Sequence, residues 1–166
     1  MKNNGFEWGD RSVRNIQSVR KIIQLLAQKV IGVVPYDLTV LDSGGFRTPE
    51  QQNAIFKNGF SKCDGYTFKS YHQSGLAIDF VPYVDGKVTW SNKTALYENA
   101  KVILQTWDSE MVASGLNGGL FLHWGGFWGA VDLNKDGLLQ LDEKLGWDMV
   151  HFELNLWKQK NILEFA

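Results

Sequence analysis

The chain has 166 residues, 44% of them hydrophobic, which suits one domain with a substantial core and excludes a disordered protein. Its 17 Lys and Arg residues oppose 18 Asp and Glu residues, and this near-zero net charge argues against nucleic acid as the main partner. No stretch approaches the roughly 20 apolar residues of a membrane span, which argues against membrane insertion.

The N-terminal residues 1–8 contain one Lys with no apolar run behind it, and this is not the pattern of a secretory signal peptide. We therefore expect a soluble protein made in the cytoplasm without a signal peptide. The single Cys63 cannot form an internal disulfide, so we interpret it as an unpaired structural residue.

Hydrophobic periodicity predicts the elements of the first half of the chain. Apolar residues at helical spacing predict one long helix over residues 13–30, with Ser12 as its cap. Residues 38–41 are typical of a strand that ends at two glycines. Pro49 is well placed to open a helix through Phe56, because proline is tolerated in the first turn.

The second half of the chain alternates between strand and helix signals. Residues 76–81 predict a strand that carries Asp79, and Asp85-Gly86 is a strong hairpin turn signal. Residues 92–113 predict a second long helix, and residues 120–123 and 150–154 predict further strands. The expected fold is α+β, a small and mostly antiparallel sheet with flanking helices, in a single domain over residues 1–166.

Three side chains form a candidate zinc site. His72 and Asp79 lie seven residues apart, and His151 follows far downstream in a predicted strand. Two imidazoles and one carboxylate leave the fourth tetrahedral position open, which is typical of a catalytic zinc site rather than a closed structural one. Asp148, three residues before His151, is a candidate for the base that a metal-bound water requires.

Composition alone leaves another interpretation open for these residues. His72 could be a surface loop residue, and His151 a core histidine with satisfied hydrogen bonds. We expect the third histidine, His123, to pack beneath the site or border a groove rather than bind metal. Glu153 alternates with His151 and so shares its face of the strand. It supports the site, lies exposed toward the groove, or forms a structural ion pair.

Residues 132–143 match a twelve-residue calcium loop of the EF-hand type. Glycine occupies the sharp-turn position, and Gln140 stands at the ninth position. The candidate calcium ligands are Asp132, Asn134, Asp136, the carbonyl of Leu138, and Glu143. The alternative is a polar surface turn. Only four residues separate Glu143 from Asp148, so we expect an ordered loop to affect the position of Asp148.

Several motifs occur together in the order found in one group of zinc peptidases. They are Pro35-Tyr36-Asp37, Phe46-Arg47-Thr48, Ser70-x-His72, Gly75-x-Ala77-Ile78-Asp79-Phe80, Trp124-Gly125-Gly126 and His151-Phe152-Glu153-Leu154. The chain thereby resembles the group that includes D-Ala-D-Ala carboxypeptidases and the hedgehog fold. It is most similar to the phage L-alanyl-D-glutamate endopeptidases, which are small endolysins. The resemblance implies that fold and favours His72, Asp79 and His151 as zinc ligands.

The resemblance also implies two substrate-binding residues. The Arg that matches Arg47 faces the active site in the family, where a guanidinium suits a substrate carboxylate or a developing oxyanion. The alternative is a surface Arg paired with Glu50 or Asp42. Ser70 matches the family Ser before the first ligand and is expected to bind the substrate backbone. Its alternative role is to stabilise the loop with its hydroxyl.

The resulting expectation is a monomeric zinc peptidase that cleaves the L-alanyl-D-glutamate bond of the peptidoglycan stem peptide. Calcium is expected as a second, regulatory or structural ion. As a phage endolysin it would be made in the host cytoplasm and act on the cell wall after release. Three alternatives remain: a D-Ala-D-Ala carboxypeptidase or dipeptidase, a non-catalytic wall-binding module stabilised by metal, and a calcium-dependent wall-binding protein.

Overall fold

The computed structural model describes residues 4–159 and 164–165. This part of the chain forms four α-helices: α1 Asp10–Gln17, α2 Lys21–Val30, α3 Pro49–Lys57 and α4 Lys93–Thr106. Its strands are β1 Asp37–Thr39, β2 Ala77–Asp79, β3 Val81–Val84, β4 Lys87–Val88, β5 Phe121–Trp124, β6 Leu138–Leu139, β7 His151–Asn155 and β8 Glu164–Phe165. None of the helices within these residues is long and apolar enough to cross a membrane.

The strands form small sheets, and most of their pairings are antiparallel. One sheet has the order β1-β3-β4 and another the order β2-β7-β5, while β6 and β8 pair in parallel. This confirms the predicted α+β class. The predicted hairpin is also confirmed between β3 and β4, where Asp85 and Gly86 have φ values of 51° and 77°. Positive φ at both central residues is typical of a tight type I′ hairpin turn.

The prediction of one helix over residues 13–30 is wrong, because the chain breaks between α1 and α2. Arg20 is extended, and its backbone N–H donates to the carbonyl of Gly75 at 2.9 Å. The Ser18 hydroxyl accepts a hydrogen bond from the backbone N–H of Phe46 at 3.0 Å. Tertiary contacts with the segments around Phe46 and Gly75 therefore replace the missing helical hydrogen bonds, which periodicity alone does not reveal.

Ser12 is not the helix cap that the sequence suggested. It lies inside α1, where it is buried, and its hydroxyl accepts from the backbone N–H of Val40 at 3.1 Å. The capping position belongs to Gly9, whose extended backbone precedes the first turn. The hydroxyl thus joins α1 to the chain after β1, instead of closing the helix end.

The predicted strand over residues 76–81 is divided between the two antiparallel sheets. β2 ends at Asp79 and β3 begins at Val81, with the buried Phe80 between them in the core. The helix predicted over residues 92–113 is regular in α4, where Asn92 caps the N–H of Ala95 at 3.1 Å. It then continues as a π-helical turn at Trp107–Val112. Asp79 therefore lies where one sheet ends and the other starts.

Candidate metal centre and cleft

Strand pairing brings two of the predicted ligands together. Asp79 at the end of β2 is paired in register with His151 at the start of β7. His72 comes from a short 3₁₀ turn, Tyr71–Ser74, which Ser70 caps by accepting from the His72 backbone N–H at 3.3 Å. This hydrogen bond matches the loop-stabilising role for Ser70, and the residue also lines the cleft described below.

The three candidate ligand atoms form a nearly equilateral triangle. His72 Nε2 lies 3.1 Å from His151 Nδ1 and 3.2 Å from Asp79 Oδ1, and the third side, from His151 Nδ1 to Asp79 Oδ1, is 3.0 Å. A tetrahedral zinc ion about 2.0 Å from each ligand requires separations of roughly 3.3 Å between them. Among the described residues, this is the one group of three His, Cys or acidic side chains that could share an ion.

The hydrogen bonds on the far sides of both rings fix which nitrogens face the triangle. His72 Nδ1 lies 2.8 Å from the carbonyl oxygen of Gly45, and His151 Nε2 lies 3.1 Å from Glu153 Oε2. Both partners are acceptors, so each outer nitrogen carries the proton and each inner nitrogen of a neutral ring presents a lone pair. Two nitrogen lone pairs and one carboxylate oxygen thus converge on the same point, an arrangement that a cation stabilises.

Burial and charge set the protonation of these groups. Burial lowers the pKa of His72, which favours the neutral ring that binds metals. Burial opposes ionisation of Asp79, but the two imidazoles outweigh it and hold the pKa of Asp79 well below its usual range. Burial also lowers the pKa of His151, yet hydrogen bonds to Asp79 and Glu153 raise it to about 10. Positive charge is therefore favoured between His151 and the carboxylates of Asp79 and Glu153. A metal ion would compete there with the proton on His151.

Arg47 is a buried residue that supports Asp79. One guanidinium nitrogen, Nη2, donates to Asp79 Oδ2 at 2.6 Å, Nη1 donates to Gln52 Oε1 at 3.2 Å, and Nε donates to the carbonyl of Ser43 at 2.5 Å. Its ion-pair partner is thus Asp79, rather than the Glu50 or Asp42 considered from the sequence. Arg47 also lines the cleft, so substrate binding stays a prediction.

Gln52, which the sequence pattern does not single out, accepts a hydrogen bond from Arg47 on the side away from Asp79. Its side chain is fully buried, and its amide donates to the Ser61 hydroxyl and to the Cys63 carbonyl, both at 2.9 Å. The neighbouring Gln51 instead forms a capping box with Thr48 at the start of α3. Position in a helix distinguishes the two glutamines, since only Gln52 faces inward.

Asp148 lies on the wall of the same cleft, next to the candidate metal ligands. Among the described residues its carboxylate has no hydrogen-bond partner, and burial raises its pKa to about 6. A carboxyl group with this pKa can both accept and release a proton near neutral pH.

Paired glycines make room for the segment that carries Asp148. A Cβ added at Gly125 would lie 2.3 Å from the Asp148 carbonyl oxygen and 2.9 Å from its Cβ. The Gly146 N–H donates to the Gly126 carbonyl at 2.6 Å, and the Trp124 indole N–H donates to the Met149 carbonyl at 2.8 Å. The Trp124-Gly125-Gly126 motif therefore fixes the backbone on which Asp148 is presented.

The site opens into a cleft of about 800 Å³ with an aromatic wall. The Trp128 ring lies 5.2 Å from the His151 ring and 5.3 Å from the Trp147 ring, measured between centroids. Phe60 and Trp90 also line this cleft and are largely exposed. Aromatic side chains therefore form part of the cleft wall beside the candidate metal site.

The remaining histidine lies beside the metal triangle and not in it. His123 on β5 is buried, with Nε2 2.7 Å from the Trp157 carbonyl and Nδ1 3.0 Å from Asn155 Nδ2. Asn155 also donates to Glu153 Oε1 at 2.8 Å and accepts from the Tyr71 hydroxyl. Glu153 thus has both oxygens occupied, one by Asn155 and one by His151.

The loop over residues 132–143 is folded around its own acidic side chains. Asp132 accepts from the N–H groups of Lys135 at 2.6 Å and Gly137 at 2.8 Å. The buried Glu143 accepts from the N–H of Leu133 at 2.7 Å with one oxygen and from that of Gln140 at 3.0 Å with the other.

The donor set of this loop consists of oxygens, which suits a hard cation such as calcium. Gly137 has a φ of 84°, as the sharp turn of the motif requires. Just beyond the loop, the carbonyl of Lys144 accepts from the Val131 N–H at 2.9 Å. The loop is therefore joined to the connection that leads to Asp148, and calcium binding stays a prediction.

Comparisons with known proteins identify relatives of this chain. The family described as phage L-alanyl-D-glutamate peptidase matches residues 4–155. The L-alanyl-D-glutamate peptidase of Escherichia phage T5 is 31% identical over 125 residues, covering 75% of this chain and 83% of that protein. The crystal structure of the Serratia marcescens L-Ala D-Glu endopeptidase ChiX shares the fold, with a TM-score of 0.53 and 22% identity over 91% of this chain and 92% of that chain. The chain belongs to the phage L-alanyl-D-glutamate peptidase family.

Proposed function

We propose that this protein is a zinc peptidase that hydrolyses the L-alanyl-D-glutamate bond of bacterial peptidoglycan, and that it acts on the cell wall as a phage endolysin. The observation that carries the zinc assignment is the triangle of His72, Asp79 and His151, with sides of 3.0 to 3.2 Å. Two nitrogen donors and one carboxylate oxygen, each supported by a hydrogen bond on its far side, fit zinc and leave one position open.

Zinc, when bound, would supply a Lewis acid that polarises the scissile carbonyl and lowers the pKa of a water toward ~7. Asp148 takes a proton as a water oxygen bonds to the carbonyl carbon, and it delivers a proton to the D-Glu nitrogen as the C–N bond breaks. Arg47 holds Asp79 in place, and its remaining N–H groups together with Ser70 are available to the substrate backbone. The products are an L-Ala carboxylate and a D-Glu amine.

The bond that is cut provides the test of this proposal. Purified peptidoglycan digested by the enzyme should release fragments with a new N-terminal D-Glu, and a zinc chelator should stop the release. Free D-Ala would instead indicate a D-Ala-D-Ala carboxypeptidase or dipeptidase. Binding to the wall without any new terminus would indicate a non-catalytic module, and lysis that responds to calcium but not to the chelator would exclude the zinc mechanism.

Replacing Arg47 should weaken zinc binding more than substrate binding. Arg47→Met leaves Asp79 Oδ2 without its partner, and loss of such a supporting hydrogen bond typically costs about 10–100-fold in metal affinity. Zinc titration monitored by mass spectrometry and by activity should show this loss, with near-normal KM once zinc is saturating. Arg14→Met removes an exposed guanidinium and should change neither. A raised KM with unchanged zinc affinity would instead assign Arg47 to the substrate.

Gly125→Ala should reduce turnover while zinc stays bound. The added methyl would meet the Asp148 backbone at 2.3 Å, so the segment that carries the proposed base must move. A displacement of ~1 Å can cost on the order of 10²-fold in rate. Gly9→Ala is the control, because a Cβ there meets nothing within 4 Å. Normal turnover in Gly125→Ala would show that the Asp148 backbone is not critical.

We further propose that calcium binds the loop over residues 132–143 and adjusts the rate through the short connection to Asp148. The loop carries three acidic side chains at ligand positions of the motif, Asp132, Asp136 and Glu143, and calcium would offset their repulsion if they converged on it. The Lys144 carbonyl accepts a hydrogen bond from the Val131 N–H, and this contact would carry order from the loop to the chain before Asp148.

Calcium should therefore increase lysis when zinc is saturating. In Glu143→Gln the response should shift to at least about 10-fold higher calcium, because the closing bidentate ligand loses its charge. Asp142→Asn is the matched control, since it removes one charge from an exposed neighbour that is not in the ligand pattern. If the curves of the wild type and Glu143→Gln coincide, or both are flat, the loop has only a structural role.

A further inference from the structure

The cleft contains two ammonium groups that the proposed chemistry does not use. Lys62 and Lys69 both line it, and among the described residues neither has a carboxylate partner within ion-pair distance. Arg47, the third cation of the cleft, already donates to Asp79, Gln52 and Ser43. Among the described residues, the lysines are thus the cationic side chains of this cleft whose charge is not already paired with a carboxylate.

Lys62 is held in a defined place. Its Nζ lies over the Trp147 ring, 4.9 Å from the centroid, and Trp147 directly precedes Asp148. A cation over an aromatic face is favourably placed, which reduces the freedom of this side chain. The flanking residues Ser61 and Cys63 are anchored on the buried Gln52. The ammonium therefore stands on the same wall as the group proposed to protonate the leaving amine.

The chemistry of the stem peptide provides a matching anion. D-Glu is joined to L-Ala through its nitrogen and to the next residue through its γ-carboxyl, so its α-carboxyl group is free. The nitrogen released by the reaction and this α-carboxylate are bonded to the same carbon. A cation on the cleft wall beside Trp147, which precedes Asp148, is therefore a candidate partner for this carboxylate when the bond is cut.

We infer that Lys62 and Lys69 bind the α-carboxylate of D-Glu, and that the enzyme prefers stem peptides in which this group is free over those in which it is amidated. This inference rests on the proposed function. It assigns the charge preference to the two lysines, while Arg47 supports the metal ligand. A carboxamide has no charge, and it loses the attraction of both ammonium groups.

The test compares two synthetic N-acylated stem peptides that differ only at this position, one with the D-Glu α-carboxylate and one with the α-carboxamide. The wild type should cleave the carboxylate peptide with a kcat/KM about 10-fold higher, mostly through a lower KM, and 0.3 M salt should reduce this ratio. Lys62→Met and Lys69→Met should each reduce the ratio by about threefold, and the double variant should bring it near one.

Matched variants separate charge from folding. Lys57→Met removes an exposed lysine at the end of α3 that does not line the cleft, and it should leave the ratio unchanged. Lys62→Arg keeps the charge and should retain most of the preference. Equal cleavage of both peptides by the wild type, or an unchanged ratio in the double variant, would overturn the inference but not the proposed function. Cleavage of neither peptide at the L-Ala bond would overturn both.

Discussion

His72→Ala, Asp79→Ala and His151→Ala are each expected to remove zinc and activity together. With three protein ligands, loss of any one leaves only two to hold the ion. The loss of zinc affinity should therefore be larger than the roughly 10–100-fold loss expected when only a supporting hydrogen bond is removed. Mass spectrometry of the intact protein and lysis of purified peptidoglycan should therefore decline in parallel. Excess zinc should not restore the rate, because the ligand geometry is changed.

The third histidine is the matched control for this experiment. His123→Gln removes an imidazole that lies outside the triangle, where it contacts Asn155 and the Trp157 carbonyl. The His123→Gln variant is expected to bind one zinc ion with near-normal affinity. Its thermal stability should decrease, because His123 is buried. Stoichiometric zinc in all three ligand variants would contradict the assignment of His72, Asp79 and His151 as zinc ligands. Loss of zinc in His123→Gln alone would instead place the zinc site at His123.

Local sequence patterns predicted those features of the fold that depend on neighbouring residues. The hairpin at Asp85-Gly86 is confirmed because both positions need positive φ, which these residue types tolerate. Pro49 begins α3 as expected, since its ring fits the first turn. The break between α1 and α2 was missed, because its cause is the hydrogen bond from Arg20 to the distant Gly75.

The candidate site likewise contains residues that the sequence predicts and residues that it does not. His72, Asp79 and His151 could be chosen from motif order, and the structure brings all three within one triangle. The groups behind them could not be predicted, because the Gly45 carbonyl and the Gln52 amide reach the site only through tertiary folding. For Glu153 the sequence predicts the strand face that it shares with His151, which the structure confirms, but it does not predict its role.

Asp148→Ala is expected to keep zinc and to lose lysis by a factor on the order of 10²–10⁴, the usual range for a lost acid or base. Its carboxylate lines the cleft and has no hydrogen-bond partner among the described residues, so it is free to exchange protons with the substrate. Burial raises its pKa to about 6, and the carboxylate form is therefore available at neutral pH. Zinc content and single-turnover rates, measured on the same preparation, should separate binding from chemistry.

Glu153 is the rival base, and it provides the decisive comparison. Both of its oxygens are engaged, one by His151 and the other by Asn155, so its structural position is that of a support for a ligand. Glu153→Gln should accordingly weaken zinc by about 10–100-fold and recover most of its activity when zinc is saturating. Asp148→Asn, which keeps the shape of the side chain, should not recover under the same conditions. Near-full turnover in Asp148→Ala, together with a zinc-replete but inactive Glu153→Gln, would transfer the role of base to Glu153.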